Sequence, residues 1–357
     1  MSLIRALNPL TYFDLLMRLW KKRESTPKKE KQVFLGAMLH VESLQNSEAR
    51  RSLLKTKFDG YLDGNAMKWM NLLDKTKSGY EDYDFSKAEQ MLKFAEANGK
   101  RTMLHTLLWA KPSFFPVKRG YPITDRTARI KANTKHISKV VGHFRGRFDY
   151  IQVWNEPLEP KGKALKTFPG VEDITWEEIG INLRQAKTMD PQAKVGINDY
   201  NIEDYQRYQV KVNNYVEAIK WLKENGYPID FIGCQAHIRA EEDVKESALR
   251  DAFKALKSTG VEVLITELDI SIAGLTGMTQ AEKLQKQAEL AGRIYRAAKA
   301  EGVKEIWTWG LDDAESWLYA KNETEFPEEA PLMFGPNQER KPWCKKVKEL
   351  GHGYEAW

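Results

Sequence analysis

Val263-Leu264-Ile265-Thr266-Glu267-Leu268-Asp269-Ile270 opens with apolar, mostly β-branched residues and runs straight into acids. Such a run reads as a buried strand of a parallel sheet, and a charged glutamate at its C-terminal end has no packing purpose. Tyr150-Ile151-Gln152-Val153-Trp154-Asn155-Glu156-Pro157 repeats the design. Two strand-end acids, Glu156 and Glu267, point to a paired-carboxylate site.

Working outward from these two stretches, short apolar strands alternate with helical segments from Val33 onward, the pattern of a parallel α/β fold. Eight strands are expected: Val33–Leu39, Phe58–Leu62, Arg101–Leu108, Tyr150–Trp154, Lys194–Asn198, Phe231–Gln235, Val261–Glu267 and Glu305–Trp309. Helices are expected over Ser47–Lys57, Phe85–Asn98, Thr124–Phe144, Trp176–Met189, Val212–Asn225, Val244–Thr259, Thr279–Glu301 and Trp343–Leu350. Thr279 with Glu282 has the spacing of a capping box, and Asn98-Gly99 and Asn225-Gly226 are stop signals. Eight such units close into a (β/α)8 TIM barrel, with reactive groups at the C-terminal strand ends. A doubly wound open sheet would want a Gly-rich turn after the first strand, and Phe34 to His40 holds one glycine.

The 357 residues are 42% hydrophobic and 30% charged, ordinary for a globular enzyme with a large core. Residues 1–32, with an amphipathic run Leu10 to Leu19 and basic Lys21 to Lys31, read as an N-terminal helical extension of a single catalytic domain, 33–357. The net charge of +6 is spread over many segments without a nucleic-acid motif, so it reads as solubility. No apolar run is long enough for a membrane span, and no signal peptide is visible. Cys234 and Cys344 are too few for a disulfide framework or zinc cluster and read as buried thiols. Nucleophile-elbow and phosphate-loop motifs are absent from the sequence.

The predicted strand ends carry a convergent polar and aromatic set: Asn65 and Lys68, His105 and Trp109, Asn155 and Glu156, Asn198, Asp199 and Tyr200, Gln235 and His237, Glu267 and Asp269, Trp309 and Trp317. Each alone has a dull structural explanation, but their recurrence at one end of the sheet does not. Two acids, hydrogen-bonding amides and aromatic platforms are what glycosidic cleavage needs. A zinc site from His105, His237 and Glu267 lacks ligand spacing, and Asp312 with Asp313 reads as a solvated loop pair in preference to calcium ligands.

Taken together, Gly64-Asn65-Ala66-Met67-Lys68-Trp69, His105-Thr106-Leu107-Leu108-Trp109, Val153-Trp154-Asn155-Glu156, Ile197-Asn198-Asp199-Tyr200-Asn201, Gln235-Ala236-His237, Ile265-Thr266-Glu267-Leu268-Asp269-Ile270 and Trp309-Gly310 with Ser316-Trp317 resemble glycoside hydrolase family 10, mostly endo-β-1,4-xylanases. The resemblance implies Glu156 as acid/base, Glu267 as nucleophile, Asn155 on the 2-hydroxyl of the subsite −1 sugar, and His237 orienting the nucleophile. It implies substrate contacts from Asn65, Lys68, His105, Trp109, Gln235, Trp309 and Trp317, with Tyr200 on the aglycone side. The implied reaction is double displacement on xylan or xylo-oligosaccharides without cofactor or metal, by a monomer, in an extracellular setting.

The sequence departs from the family pattern at Gly64, usually Glu, at Ala110, usually His, at Ala236, usually Ser, and at Asp312-Asp313-Ala314-Glu315, which adds negative charge. The reacting centre is kept while the minus-side subsites are altered. Decorated xylan is one expectation, with Lys118, Arg119 or Arg239 meeting a uronate. Another β-1,4-glycan, or a catalytically weak carbohydrate-binding barrel, is the alternative.

Overall fold

The computed structural model describes residues 33–166, 173–318 and 329–349. The expected extension 1–32 and parts of the loops after the fourth and eighth barrel strands lie outside them. The described residues form ten strands: β1 (Phe34–Leu39), β2 (Gly60–Asp63), β3 (Arg101–Leu104), β4 (Leu108–Trp109), β5 (Tyr150–Asn155), β6 (Lys194–Asp199), β7 (Phe231–Cys234), β8 (His237–Arg239), β9 (Glu262–Ser271) and β10 (Glu305–Thr308). Eight of them pair in parallel in the order β10, β1, β2, β3, β5, β6, β7, β9, and β10 pairs back onto β9. The sheet is a closed (β/α)8 barrel. Short β4 and β8 prolong the wall at its C-terminal end, pairing with β5 and β9.

Two differences from the expected elements follow from local chemistry. The third strand stops at Leu104 and resumes as β4, because His105 and Thr106 spend their side chains on Gln152 of β5. In the sequence the place is marked only by two polar residues, His105 and Thr106, between Leu104 and Leu107. The helix expected from Val212 begins at Tyr205, where the Asp204 side chain caps the Arg207 amide at 3.1 Å. Its first turn is amphipathic only weakly, and Tyr208 leaves helical geometry. Thr279 with Glu282 forms the expected capping box, and Asp125 caps the helix Arg126–His143 by accepting from the Ala128 amide.

Inside the barrel lie Met38, Leu62, Met103, Tyr150, Phe231, Leu264, Trp307 and Trp309. Trp307 takes the space of the missing side chain at Gly36, where a Cβ would stand 2.1 Å from its ring. The N-terminal end is closed by charge: Tyr150 donates to Glu305 and Glu262, Arg101 pairs with Glu305, and Lys194 pairs with Glu262. Helices cover the outside through an apolar layer that contains Cys234 and Cys344, both free thiols. Among the described residues no helix is long and apolar enough to cross a membrane.

Candidate active site

Side chains alternate along a strand, so consecutive residues cannot both face the barrel axis unless the strand is irregular. Both acid-bearing strands are irregular where it matters. In β5 the register against β6 shifts between Gln152 and Trp154, so that Trp154 turns outward onto Asn182 while Asn155 stands opposite Asn198. In β9 the register against β10 shifts between Ile265 and Leu268. Thr266 and Glu267 there both reach Asn198, at 2.5 and 2.6 Å.

The result is one hydrogen-bond relay across the cleft. Gln235 Nε2 donates to Glu156 Oε1 and to Asn155 Oδ1, each at 3.1 Å. Asn198 Nδ2 donates to Asn155 Oδ1 at 2.8 Å and to Glu267 Oε1. The two acids are thereby linked through three amides. Glu156 has φ +53°, a left-handed conformation rarely adopted by non-glycine residues, and Ala236 between Gln235 and His237 has φ +59°. Strain of this kind persists where surrounding contacts enforce it. The Glu156 amide is pinned on the Asn198 carbonyl at 2.8 Å.

His237 lies between two carboxylates: Nε2 is 3.2 Å from Glu267 Oε2 and Nδ1 is 2.9 Å from Asp269 Oδ1. Burial works against its charge, but the Asp269 and Glu267 carboxylates outweigh burial and raise its pKa well above the ordinary value. Both carboxylates favour the protonated ring. His105 is the opposite case, since burial lowers its pKa and keeps it neutral. Its Nδ1 meets Gln152 Oε1 at 2.6 Å, which places the proton on Nδ1.

Lys68 Nζ lies 3.1 Å from Asn65 Oδ1 and 4.7 Å over the Trp109 ring, and its burial pushes its pKa down. Trp309 stands edge-on to His105 at 4.9 Å, while Trp317 donates to Asp269 at 2.7 Å and packs edge-on to His237. Tyr200 sits on the other side of Glu156, with Lys166 Nζ 5.5 Å from its ring centroid. Thus every site residue expected from sequence falls in one connected cluster.

Glu156 is less tightly enclosed than Glu267, with side-chain exposures of 17% and 4%. Lys166 Nζ lies 3.2 Å from Glu156 Oε2. Burial pulls the Glu156 pKa up, but Lys166, helped by the Trp109 indole and Gln235, outweighs burial and leaves it below the ordinary value. Lys166 and Gln152 were not among the expected site residues. Gln152 has a visible signal, a polar residue between Ile151 and Val153 in an apolar strand. Lys166 has none, being one lysine among several in a loop.

The acids of the last barrel loop are a correction to the sequence reading. Asp312 and Asp313 are buried, not solvated. Arg50 binds Asp312 with both Nε and Nη2, at 2.8 and 3.0 Å, and Lys341 binds Asp313. Glu315 meets Arg50 at 3.1 Å and accepts from Ser43. Asp312 and Asp313 thus tie the loop to Arg50 and Lys341. Among the described residues no group of acids, histidines and cysteines is arranged to hold a metal ion.

The altered positions have local physical settings. A Cβ on Gly64 would stand 2.8 Å from Met38 Sδ, and Ala110 is buried in the outer apolar layer. Arg119 donates to the Asp74 carbonyl, and Arg239 pairs with Glu241.

The sequence model of glycosyl hydrolase family 10 matches residues 25–350. The chain belongs to this family. It is 32% identical over 81% of its length to the β-1,4-xylanase of Dictyoglomus thermophilum, covering 81% of that protein. It is 30% identical over 87% of its length to endo-1,4-β-xylanase B of Humicola insolens, covering 82% of it. Xylanase 10B of Thermotoga petrophila RKU-1, solved in complex with xylobiose, superposes with a TM-score of 0.79 at 28% identity, over 90% of this chain and 94% of that one. As a family 10 member the chain is a glycoside hydrolase of the endo-1,4-β-xylanase class.

Proposed function

We propose that this family 10 enzyme cleaves internal β-1,4-xylosidic bonds of xylan or xylo-oligosaccharides with retention of configuration. The observation that carries the reading is the unequal treatment of two linked acids: Glu267 lies against the His237 ring and the Asn198 amide, while Glu156 stands at the freer edge of the relay. Glu267, placed by these partners, attacks the anomeric carbon and forms a glycosyl-enzyme. Glu156 gives its proton to the leaving oxygen, then as carboxylate takes a proton from the water that releases the sugar.

Asn155 fits a contact to the sugar 2-hydroxyl. Its Oδ1 already accepts from Asn198 and Gln235, so its Nδ2 is the group left to donate, with only a long 3.4 Å contact to Glu156 competing. Lys68 and Asn65 border the minus side, and Trp309 with Trp317 supply ring surfaces beside His237. We include in the proposal an altered minus side, since Gly64 presents no side chain there and Met38 occupies the space beside it.

Reducing-sugar release from linear xylan, glucuronoxylan, arabinoxylan and β-glucan, beside Glu156→Ala and Glu267→Ala, tests the reading, with the anomer of fresh product followed by NMR. One polymer cut by the native chain, by neither variant, and with retained β-configuration supports it. Inverted product, or undiminished cleavage by either variant, overturns it.

A further inference from the structure

A hairpin delivers Lys166 to Glu156. Leu158 and Leu165 bridge in antiparallel fashion, the Lys166 amide donates to the Pro157 carbonyl at 2.8 Å, and Glu159 pairs with Ala164. Gly162 at the hairpin tip has φ +69° and lies so close to Lys211 that a Cβ would stand 2.4 Å from its Cα. Asn214 donates to the Gly162 carbonyl. The hairpin is therefore seated on the helix Tyr205–Glu224, and its last described residue, Lys166, brings its Nζ to 3.2 Å from Glu156 Oε2.

The bonds around Glu156 conflict with its role as an acid. Oε1 receives N–H donors from Gln235 and, at 3.4 Å, Asn155, and Oε2 receives Lys166. Every one of these partners is a donor, so each favours the carboxylate and none can accept the proton of a carboxylic acid. For an O–H on Oε2 to reach a glycosidic oxygen, the ammonium has to move off. Lys166 Nζ lies 5.5 Å from the Tyr200 ring as it stands, and Lys211 Nζ is already on that ring at 3.8 Å, so the ammonium moves off toward solvent.

We propose that Lys166 is a positioning residue that holds Glu156 as a carboxylate before substrate arrives and is displaced by the leaving-group sugar, coupling substrate binding to proton uptake by Glu156. This rests on the reading of Glu156 as acid/base. One proton comes from solvent and passes from Glu156 to the leaving oxygen as the C–O bond breaks; a second leaves water for Glu156 as the glycosyl-enzyme is hydrolysed and returns to solvent when Lys166 again closes on the acid. The return of Lys166 once the leaving sugar has gone favours the carboxylate required for the second step.

The other charged groups facing this corner are already committed. Lys211 is bound to Asp199 and the Tyr200 carbonyl at 2.7 Å each, and the Tyr215 hydroxyl also donates to Asp199. Lys68 is bonded to Asn65, His105 is neutral and bonded to Gln152, and Glu267 is compensated by His237. Among the described residues the ammonium within hydrogen-bond distance of Glu156 is that of Lys166.

The test is the pH dependence of kcat/KM on a xylo-oligosaccharide for the native enzyme, Lys166→Met and Lys166→Arg. Glu156→Gln is run on an aryl xylobioside whose leaving group needs no protonation. Removing the ammonium is expected to move the basic limb up by about one pH unit, with arginine leaving it in place. In a Glu267→Ala background, calorimetric titration with xylotetraose in buffers of different ionisation enthalpy should show proton uptake, reduced in the double variant with Lys166→Met. A basic limb unmoved in Lys166→Met, or equal uptake with and without the lysine, overturns the proposal. A basic limb that persists in Glu156→Gln overturns instead the assignment of Glu156 on which it rests.

Discussion

Glu267 and Glu156 are both strand-end acids, yet the barrel treats them differently. Glu267 is enclosed by groups fixed on strands or strand extensions, Asn198 on β6 and His237 on β8, with Asp269 behind the imidazole. Glu156 has Gln235 as a fixed partner, but its nearest cation comes from a loop hairpin. The partners of Glu267 are thus set by the scaffold, whereas the cation beside Glu156 comes from one side chain outside it. A loop can change without disturbing a barrel, so the acid is the half of the pair open to tuning.

The widest gap between the two acids should appear on substitution. Glu267→Ala is expected to cost roughly 10⁴-fold or more in kcat on every substrate, because the proposed reaction forms its covalent intermediate on this side chain. Glu156→Ala should cost about 10²- to 10⁴-fold on xylan but far less in the first step on an activated aryl glycoside. Equal losses on both substrates for Glu156→Ala would dissolve the distinction.

A smaller effect is expected at His237. Its proton affinity is raised, so its stabilising contribution is fully present below the ordinary pKa of 6.5 and is lost only as pH rises through a folded value well above it. NMR of the imidazole should show a ring that stays protonated from pH 5 to 8, and His237→Asn should lower kcat roughly 10²-fold. A titration midpoint near 6.5 would place the histidine outside the fixed charge system.

Glu315 supplies the smallest and most indirect test, a buried acid whose cation does not win. Arg50 is shared with Asp312, and burial carries the Glu315 pKa from 4.5 to about 7. Between those values the folded chain holds a proton that the unfolded chain has released, so this contribution is complete below about pH 4.5 and falls as pH rises toward 7. Glu315→Gln should flatten the decline of Tm over that window. An unchanged slope would mean that Arg50 compensates Glu315 as Lys166 compensates Glu156.

The barrel was legible because each of its strands is an apolar run that ends in polar residues, a pattern set by burial on both faces. The positions of the candidate site residues were legible for the same reason: Glu156, Glu267 and Gln235 are polar where packing asks for apolar side chains. What escaped depends on long-range pairing. Asp312 reads as a loop acid until Arg50, far earlier in the chain, closes on it. Lys166 is indistinguishable from Lys161 or Lys163 until the hairpin folds on Gly162. The break between β3 and β4 is set by Gln152 on a neighbouring strand, which periodicity along one segment does not register.

The register shifts in β5 and β9 give the site an odd-even character. A strand assigns its residues to two faces by parity, and one extra residue reverses the assignment for everything downstream. With Val153 as the surplus residue of β5, the indole of Trp154 belongs to the helices and the amide of Asn155 to the cleft. Loss of a single residue there would exchange them, placing an indole where the relay needs an amide and leaving the composition of the strand almost unchanged. Across this fold, a one-residue deletion upstream of either acid is a larger chemical event than most substitutions within the site.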